Sequence, residues 1–388
     1  MFKRKLKYQA FSIVLVALVG VAALFFMNNF APSSMLPVEE LDSGLGMNTE
    51  HTVHVIDEVP KETNEPASDV TQPQTEADMP VYTQPSSSMF NSMDDKEYGT
   101  WIWESPIQLG YTRAAQMLEY AAKEKFNVVY ITIDDYLAVD ALSAGQTKDT
   151  RKKQYFAALN QIVVKAGELN IEVDVEGGWK DWGDPKNTWK GYALIDFVKE
   201  YNDLYPRAKV RGLQYDVEPY LLATYEKNQS SVLLPFIEFI DESTTQMEKM
   251  DAKFSIVIPH FYDSAQKWTP TLTYKGEEAF PFTHLLNILD RKDGSSIIIM
   301  SYRNFFEGKD GVEELSVPEL KEASTKGHST KIIIAQETGD VSPDYVTFYG
   351  LPKEDLSYQL STIHSSFAKY NSFGGSAVHY LDTYLELE

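Results

Sequence analysis

Eight short runs of β-forming residues recur along roughly the last three quarters of this 388-residue chain, each separated from the next by a stretch with helical periodicity. The runs are 99–104, 127–134, 171–176, 212–218, 253–259, 296–302, 331–337 and 376–380. Between them, residues 155–169 place Phe156, Leu159, Ile162, Val163 and Ala166 at helical spacing with Lys152 and Lys165 off that face, and 233–250 and 356–370 follow the same pattern. Most of the β runs are almost continuously apolar, as expected for a parallel sheet covered on both faces. Eight β-then-α units predict a (β/α)8 TIM barrel over residues 96–388. The competing doubly wound open sheet would need fewer strands and a glycine-rich first turn, and neither is present.

The segments before the barrel are of two other kinds. Residues 10–27 form an uninterrupted apolar or small-residue run behind Lys3, Arg4, Lys5 and Lys7, and at 1.5 Å per residue such a run spans about 27 Å, near the lower limit for a bilayer core. With its basic flank in the cytoplasm, this transmembrane signal anchor puts everything after residue 30 outside the cell, tethered to the cell membrane by one helix. A cleaved signal peptide competes with that reading. Residues 31–95 hold 13 acids against Lys61 alone and seven of the 18 prolines, the composition of a disordered stalk. The chain carries a net charge of -22 and no cysteine. The charge argues against nucleic acid as a partner, and the lack of cysteine excludes disulfides and thiolate chemistry.

A barrel keeps its chemistry at the C-terminal ends of its strands. Here all eight ends carry ionisable groups, many with aromatics beside them: Trp103-Glu104; Asp134-Asp135-Tyr136; Asp174-Val-Glu176-Gly-Gly-Trp179; Asp216-Val-Glu218-Pro-Tyr220; His260-Phe-Tyr262-Asp263; Tyr302-Arg303-Asn304; Glu337-Thr-Gly-Asp340; and His379-Tyr380-Leu-Asp382. Single acids at such places often cap the following helix or solvate a loop. Paired carboxylates flanked by aromatic rings are what cleavage of a glycosidic bond requires, one held protonated for the leaving oxygen and another group to meet the developing cation. In the fourth run the period of two puts Gln214, Asp216 and Glu218 on one face, and the two carboxylates repel, which raises a pKa and favours a shared proton. A structural salt bridge to Arg211 or Arg303 is the competing role for these acids. Trp179, Trp182 and Trp189, clustered after the third run, are candidates for a sugar-stacking platform, with loop packing as the alternative.

Residues 211–218, Arg-Gly-Leu-Gln-Tyr-Asp-Val-Glu, resemble the strand-4 signature of family 18 glycoside hydrolases, Asp-Gly-x-Asp-x-Asp-x-Glu. Gly212, Asp216 and Glu218 match; Arg211 and Gln214 stand where the signature has its first two aspartates. Met300-Ser-Tyr302 is similar to the family's strand-6 Met-x-Tyr, whereas His379-Tyr380 stands where the family has a tryptophan. The resemblance implies Glu218 as general acid, Asp216 orienting a substrate N-acetyl group and Tyr302 holding the reacting sugar; the missing aspartates bear against chitin-type substrates. Glu218-Pro219 together with Glu337 is also similar to the large clan of retaining glycosidases that includes cellulases, implying an acid/base Glu218 and a nucleophilic Glu337, although Val217 replaces that clan's usual asparagine.

Other chemistries find less support. Thr132-Ile-Asp134-Asp135 resembles the Thr-Phe-Asp-Asp motif of polysaccharide deacetylases, but no His-x3-His pair occurs among the seven histidines to complete a zinc site. No G-x-S-x-G elbow, P-loop or dinucleotide fingerprint is present, so neither metal nor cofactor is expected. The expectation is a membrane-anchored extracytoplasmic glycoside hydrolase acting on a surface or matrix polysaccharide. A barrel that only binds such a polysaccharide is the rival.

Overall fold

A computed structural model of the chain describes residues 96–264 and 269–387; the expected anchor and stalk lie outside the described residues. Eight parallel strands close into a barrel: β1 (Glu97–Ile102), β2 (Val128–Thr132), β3 (Glu172–Gly177), β4 (Gly212–Tyr215), β5 (Lys253–Pro259), β8 (Ser296–Met300), β9 (Lys331–Glu337) and β10 (Phe373–His379). Neighbours in sequence are neighbours in space, and β1 closes on β10 through pairs such as Gly99 with Ala377. A small antiparallel hairpin, β6 (Leu272–Tyr274) with β7 (Glu277–Ala279), sits between β5 and the sixth barrel strand. Strands of three residues carry too little periodicity to be legible in sequence.

The helices α1 (Pro106–Lys123), α2 (Tyr136–Asp140), α3 (Gln146–Glu168), α4 (Trp189–Leu204), α5 (Gln229–Met247), α6 (Pro281–Leu289), α7 (Val312–Lys326), α8 (Lys353–Phe367) and α9 (Leu381–Leu385) connect the strands and follow the last of them. Their starts are written locally. Ser105 caps α1 in a reciprocal box with Gln108, with Pro106 at the first helical position, and Asn228 accepts from the Ser231 amide at 3.1 Å to open α5. Gly327, in the left-handed region at φ 74°, stops α7. Among the described residues no helix is long and apolar enough to cross a membrane.

Period-two alternation divides the core into two layers. Outward-facing strand residues such as Val129, Val175, Leu213, Ile256, Ile299 and Ile334 pack against the helices. Inward-facing Trp101, Val128, Tyr130, Val257, Ile298, Ile333 and Ala377 fill the barrel. Each aliphatic or phenylalanine side chain so buried contributes about 1.5–3 kcal/mol. The barrel floor is polar: Arg211 bonds Asp174 through Nε at 2.8 Å and Glu97 at 2.7 Å, and Tyr130 donates to Glu97. Arg211 is therefore occupied at the end opposite the strand C-termini and is no counter-ion for Asp216 or Glu218.

Candidate active site

The fourth strand is shorter than its β-rich run. It ends at Tyr215, so Asp216 and Glu218 do not continue a strand face as the alternation suggests; they stand on the turn leading into a 3-10 segment, Pro219–Leu221. The Asp216 amide still donates to the Gly177 carbonyl at 3.3 Å, which presses the turn against the end of β3. A Cβ at Gly178 would lie 2.0 Å from the Asp216 carbonyl oxygen, so this approach requires glycine. Pro219 fixes the next φ, the Leu221 amide closes on the Glu218 carbonyl, and the Tyr220 hydroxyl folds back to donate to the Glu218 carboxyl.

Four carboxyls converge around this turn. Glu218 is only 8% exposed; burial, then the charge of Asp216, push it up to about 8 against the hydrogen bond from Tyr220. Burial raises Asp216 to about 6, opposed by the nearby His379 imidazole. Asp134 is raised to about 7, chiefly by burial and opposed by the Gly178 N–H, with Asp135 and Asp216 adding repulsion. Glu176, 1% exposed, is driven well above the carboxylate range by burial and by facing Asp134 and Asp216.

The opposite wall is built on β9 and β10. Glu337 Oε1 accepts from the amides of Thr338 and Gly339 at 2.8 and 2.7 Å, and its Oε2 pairs with His379 Nδ1 at 2.8 Å. Trp103 Nε1 donates to His379 Nε2 at 3.0 Å, and the Tyr302 ring stacks on the imidazole at 6.1 Å. Burial lowers the His379 pKa, but the Glu337 charge and hydrogen bond and the Asp216 charge outweigh it, and the net direction is upward. The Trp103 bond, in contrast, requires a neutral Nε2 acceptor. The two meet as a ring held by its neighbours in one tautomer and poised for protonation. Burial raises the Tyr302 phenol well above its ordinary value, and the charges of Glu337, Asp216 and Glu218 add to it.

Tyr262 stands beside Tyr220, ring centroids 6.4 Å apart, with its buried hydroxyl unpartnered among the described residues. His260 is pushed down to about 4 by burial and the Arg303 charge, and its Nδ1 lies 3.2 Å from the Met300 carbonyl. Arg303 turns back onto the Tyr302 carbonyl at 2.7 Å and covers the Tyr345 ring, so it neutralises no carboxylate of the site.

Several expected ligand-binding residues are placed elsewhere. Trp182 is 2% exposed, edge-on to Tyr215 in the outer core, while Trp179 and Trp189 are 37% and 46% exposed; the three do not form one platform. The apolar pocket between β4 and the helices takes the middle tryptophan because that burial outweighs exposure for so large a ring. Glu104 pairs with Arg113 at 2.8 Å, and Asp382 shares that arginine. Gln214 is fully buried beneath the acids, its Oε1 held by Trp101 Nε1 at 2.7 Å, and Tyr380 joins the inner apolar layer. Trp101 was not among the sequence candidates, and period two from Trp103 was the available signal for it. Among the described residues no group of three or more His, Asp or Glu side chains is arranged to hold a metal.

No protein-family model matches the chain, and no curated protein matches it either. Solved structures of similar fold include an endo-β-1,4-mannanase from Thermotoga petrophila, at 11% identity over 75% of this chain and 68% of that one, with a TM-score of 0.45. A GH18 chitinase from Pseudoalteromonas aurantia matches at 12% identity over 73% of this chain and 93% of that one, TM-score 0.41. D-psicose 3-epimerase from Clostridium cellulolyticum H10 matches at 11% over 73% and 84%, TM-score 0.40.

Proposed function

We propose that the barrel hydrolyses a glycosidic bond with Glu218 as general acid, on a cell-surface or matrix polysaccharide, from a domain tethered outside the cell by residues 10–27. The observation that carries the reading is the pairing at the end of β4: Glu218, only 8% exposed and bonded by the Tyr220 hydroxyl, stands beside Asp216, with burial and the Asp216 charge pushing it up to about 8 while burial raises Asp216 only to about 6. An acid that holds its proton at neutral pH next to a carboxylate that has lost one is the division of labour glycoside cleavage needs. Glu218 delivers the proton to the leaving oxygen. Asp216 and Tyr302 face the sugar whose C1 becomes cationic, and the half-buried Trp103 and Tyr220 supply apolar surface with polar edges.

Of the two mechanisms, the hydrogen bonding favours the one in which the substrate's own acetamido group, held by Asp216 and Tyr302, meets the cation. Three donors occupy the Glu337 carboxylate, and its second oxygen is spent on His379.

The test is Glu218→Gln in the full chain against a panel of β-linked hexosamine and hexose oligosaccharides, with reducing-end release as the readout. Turnover is expected to fall about a hundredfold to ten-thousandfold while binding persists, the usual weight of a general acid. Undiminished hydrolysis in that variant would refute the assignment. Binding with no hydrolysis by the wild-type protein would establish the polysaccharide adaptor instead.

A further inference from the structure

Two carboxyl oxygens in the site are buried without a hydrogen donor among the described residues, Glu176 Oε2 and Asp216 Oδ1. Glu176 stands in register between Thr132 on β2 and Gln214 on β4. Trp101 N–H can only donate, so its bond fixes the Gln214 amide with Oε1 toward the indole, and among the described residues Nε2 is left without an acceptor. The groups facing Glu176 are therefore the Thr132 hydroxyl and Asp134 from the β2 side, and Gln214 and Asp216 from the β4 side.

Among the described residues no cation is placed to neutralise an ionised Glu176. Lys190 of α4 acts on Asp134 but its ammonium sits 3.5 Å from Asp181. His379 of β10 faces Asp216 and is bound to Glu337, and Arg211 is tied to the barrel floor. A charged Glu176 would thus be a buried anion against the Asp216 anion, whereas a neutral one brings an O–H donor to a place where an acceptor lacks one.

We propose that Glu176 is a positioning residue that stands protonated behind Asp216 and donates its O–H toward the Asp216–Asp134 pair, directly or through one water, keeping Asp216 the charged member beside Glu218. The proposal rests on the assignment of Glu218 as the acid. Along Glu176, Asp216 and Glu218 the states then alternate neutral, charged, neutral, so three crowded carboxyls carry one charge. The order in which they titrate agrees, since Asp216 is raised least of the three.

Two measurements test it. Infrared difference spectra of the full chain at pH 7 should show a protonated-carboxyl C=O band that vanishes in Glu176→Gln, whether or not the protein turns over. In kinetics on methylumbelliferyl N-acetylglucosamine oligosaccharides, Glu176→Gln, which keeps a neutral donor, should hold kcat/KM near wild type. Glu176→Ala should lose about 10- to 100-fold, the weight of one hydrogen bond to a charged group. In the alanine variant the acid limb of the pH profile should also move up, because Asp216 has lost the donor that favours its anion; a purely structural role would lower the rate without moving that limb. An unchanged acid-band spectrum in Glu176→Gln, or a Gln variant as slow as the Ala variant, overturns the proposal. Undiminished hydrolysis by Glu218→Gln would instead remove the acid assignment and leave the infrared result standing.

Discussion

A carboxylate that already accepts three hydrogen bonds is a poor nucleophile, because each donor draws charge from the lone pairs that would attack. Glu337 is in that state, and what it holds is His379, which in turn meets Trp103 and the Tyr302 ring. On the proposed reading its work is to orient the imidazole. Glu337→Ala should lower kcat without rescue by azide, and His379→Ala should lower it by a similar factor. The double variant should be no worse than either single one, because both break the same contact. Azide rescue of Glu337→Ala, with a trapped glycosyl azide, would restore Glu337 as the nucleophile. The sequence pointed to both residues as strand-end groups but not to their partnership. A hydrogen bond between β9 and β10 side chains depends on closure of the barrel and has no local signature.

At the scale of the element, the decisive contact is between the end of β3 and the turn after β4. Glycine at 178 lets the Asp216 backbone come against the strand end, and a methyl group there would meet the Asp216 carbonyl at 2.0 Å. Gly178→Ala should therefore push the turn away, destabilise the barrel by about 1–3 kcal/mol in urea unfolding, and cut turnover by more than that loss of folded protein explains. Strand existence and order were legible because near-continuous apolar runs such as 296–302 and 331–337 have few alternatives in a long chain. Ends were less so. The alternation Gln214, Asp216, Glu218 reads as a strand, yet Pro219 offers no amide to a ladder and the pairing stops at Tyr215. The last strand starts earlier than its run because Gly374 and Gly375 hide it, with a register shift at that point. The misplaced tryptophan follows from the same limit: sequence locates Trp182 on a loop, and only packing against Tyr215 shows which side of the barrel wall it takes.

For the whole molecule, the acids of the site set how stability depends on pH. Asp134 keeps its proton to about 7 in the folded state, against 3.8 as its ordinary value, so between those limits the folded chain binds more protons than the unfolded one. Stability must then fall as pH rises through that window, and Asp216 and Glu218 act in the same direction up to about 6 and 8. Groups of the opposite kind act lower: at Asp290 the bonds from Thr330, Ser329 and His328 outweigh burial and hold the carboxyl at about 2, a contribution lost only on acidification. Asp134→Asn removes an ionisation without removing the acceptor for the Gly178 amide. It should therefore stabilise the barrel more at pH 8 than at pH 5, by on the order of 1–2 kcal/mol once sharing of protons among the four carboxyls is allowed for. All six tryptophans lie between Trp101 and Trp268, so intrinsic fluorescence of the full chain during urea unfolding reports on the barrel alone. An equal effect at both pH values would mean that Asp134 is ionised throughout and that the cluster does not store protons. The same barrel would then have to solvate several buried charges, which the two donorless oxygens of Glu176 and Asp216 argue against.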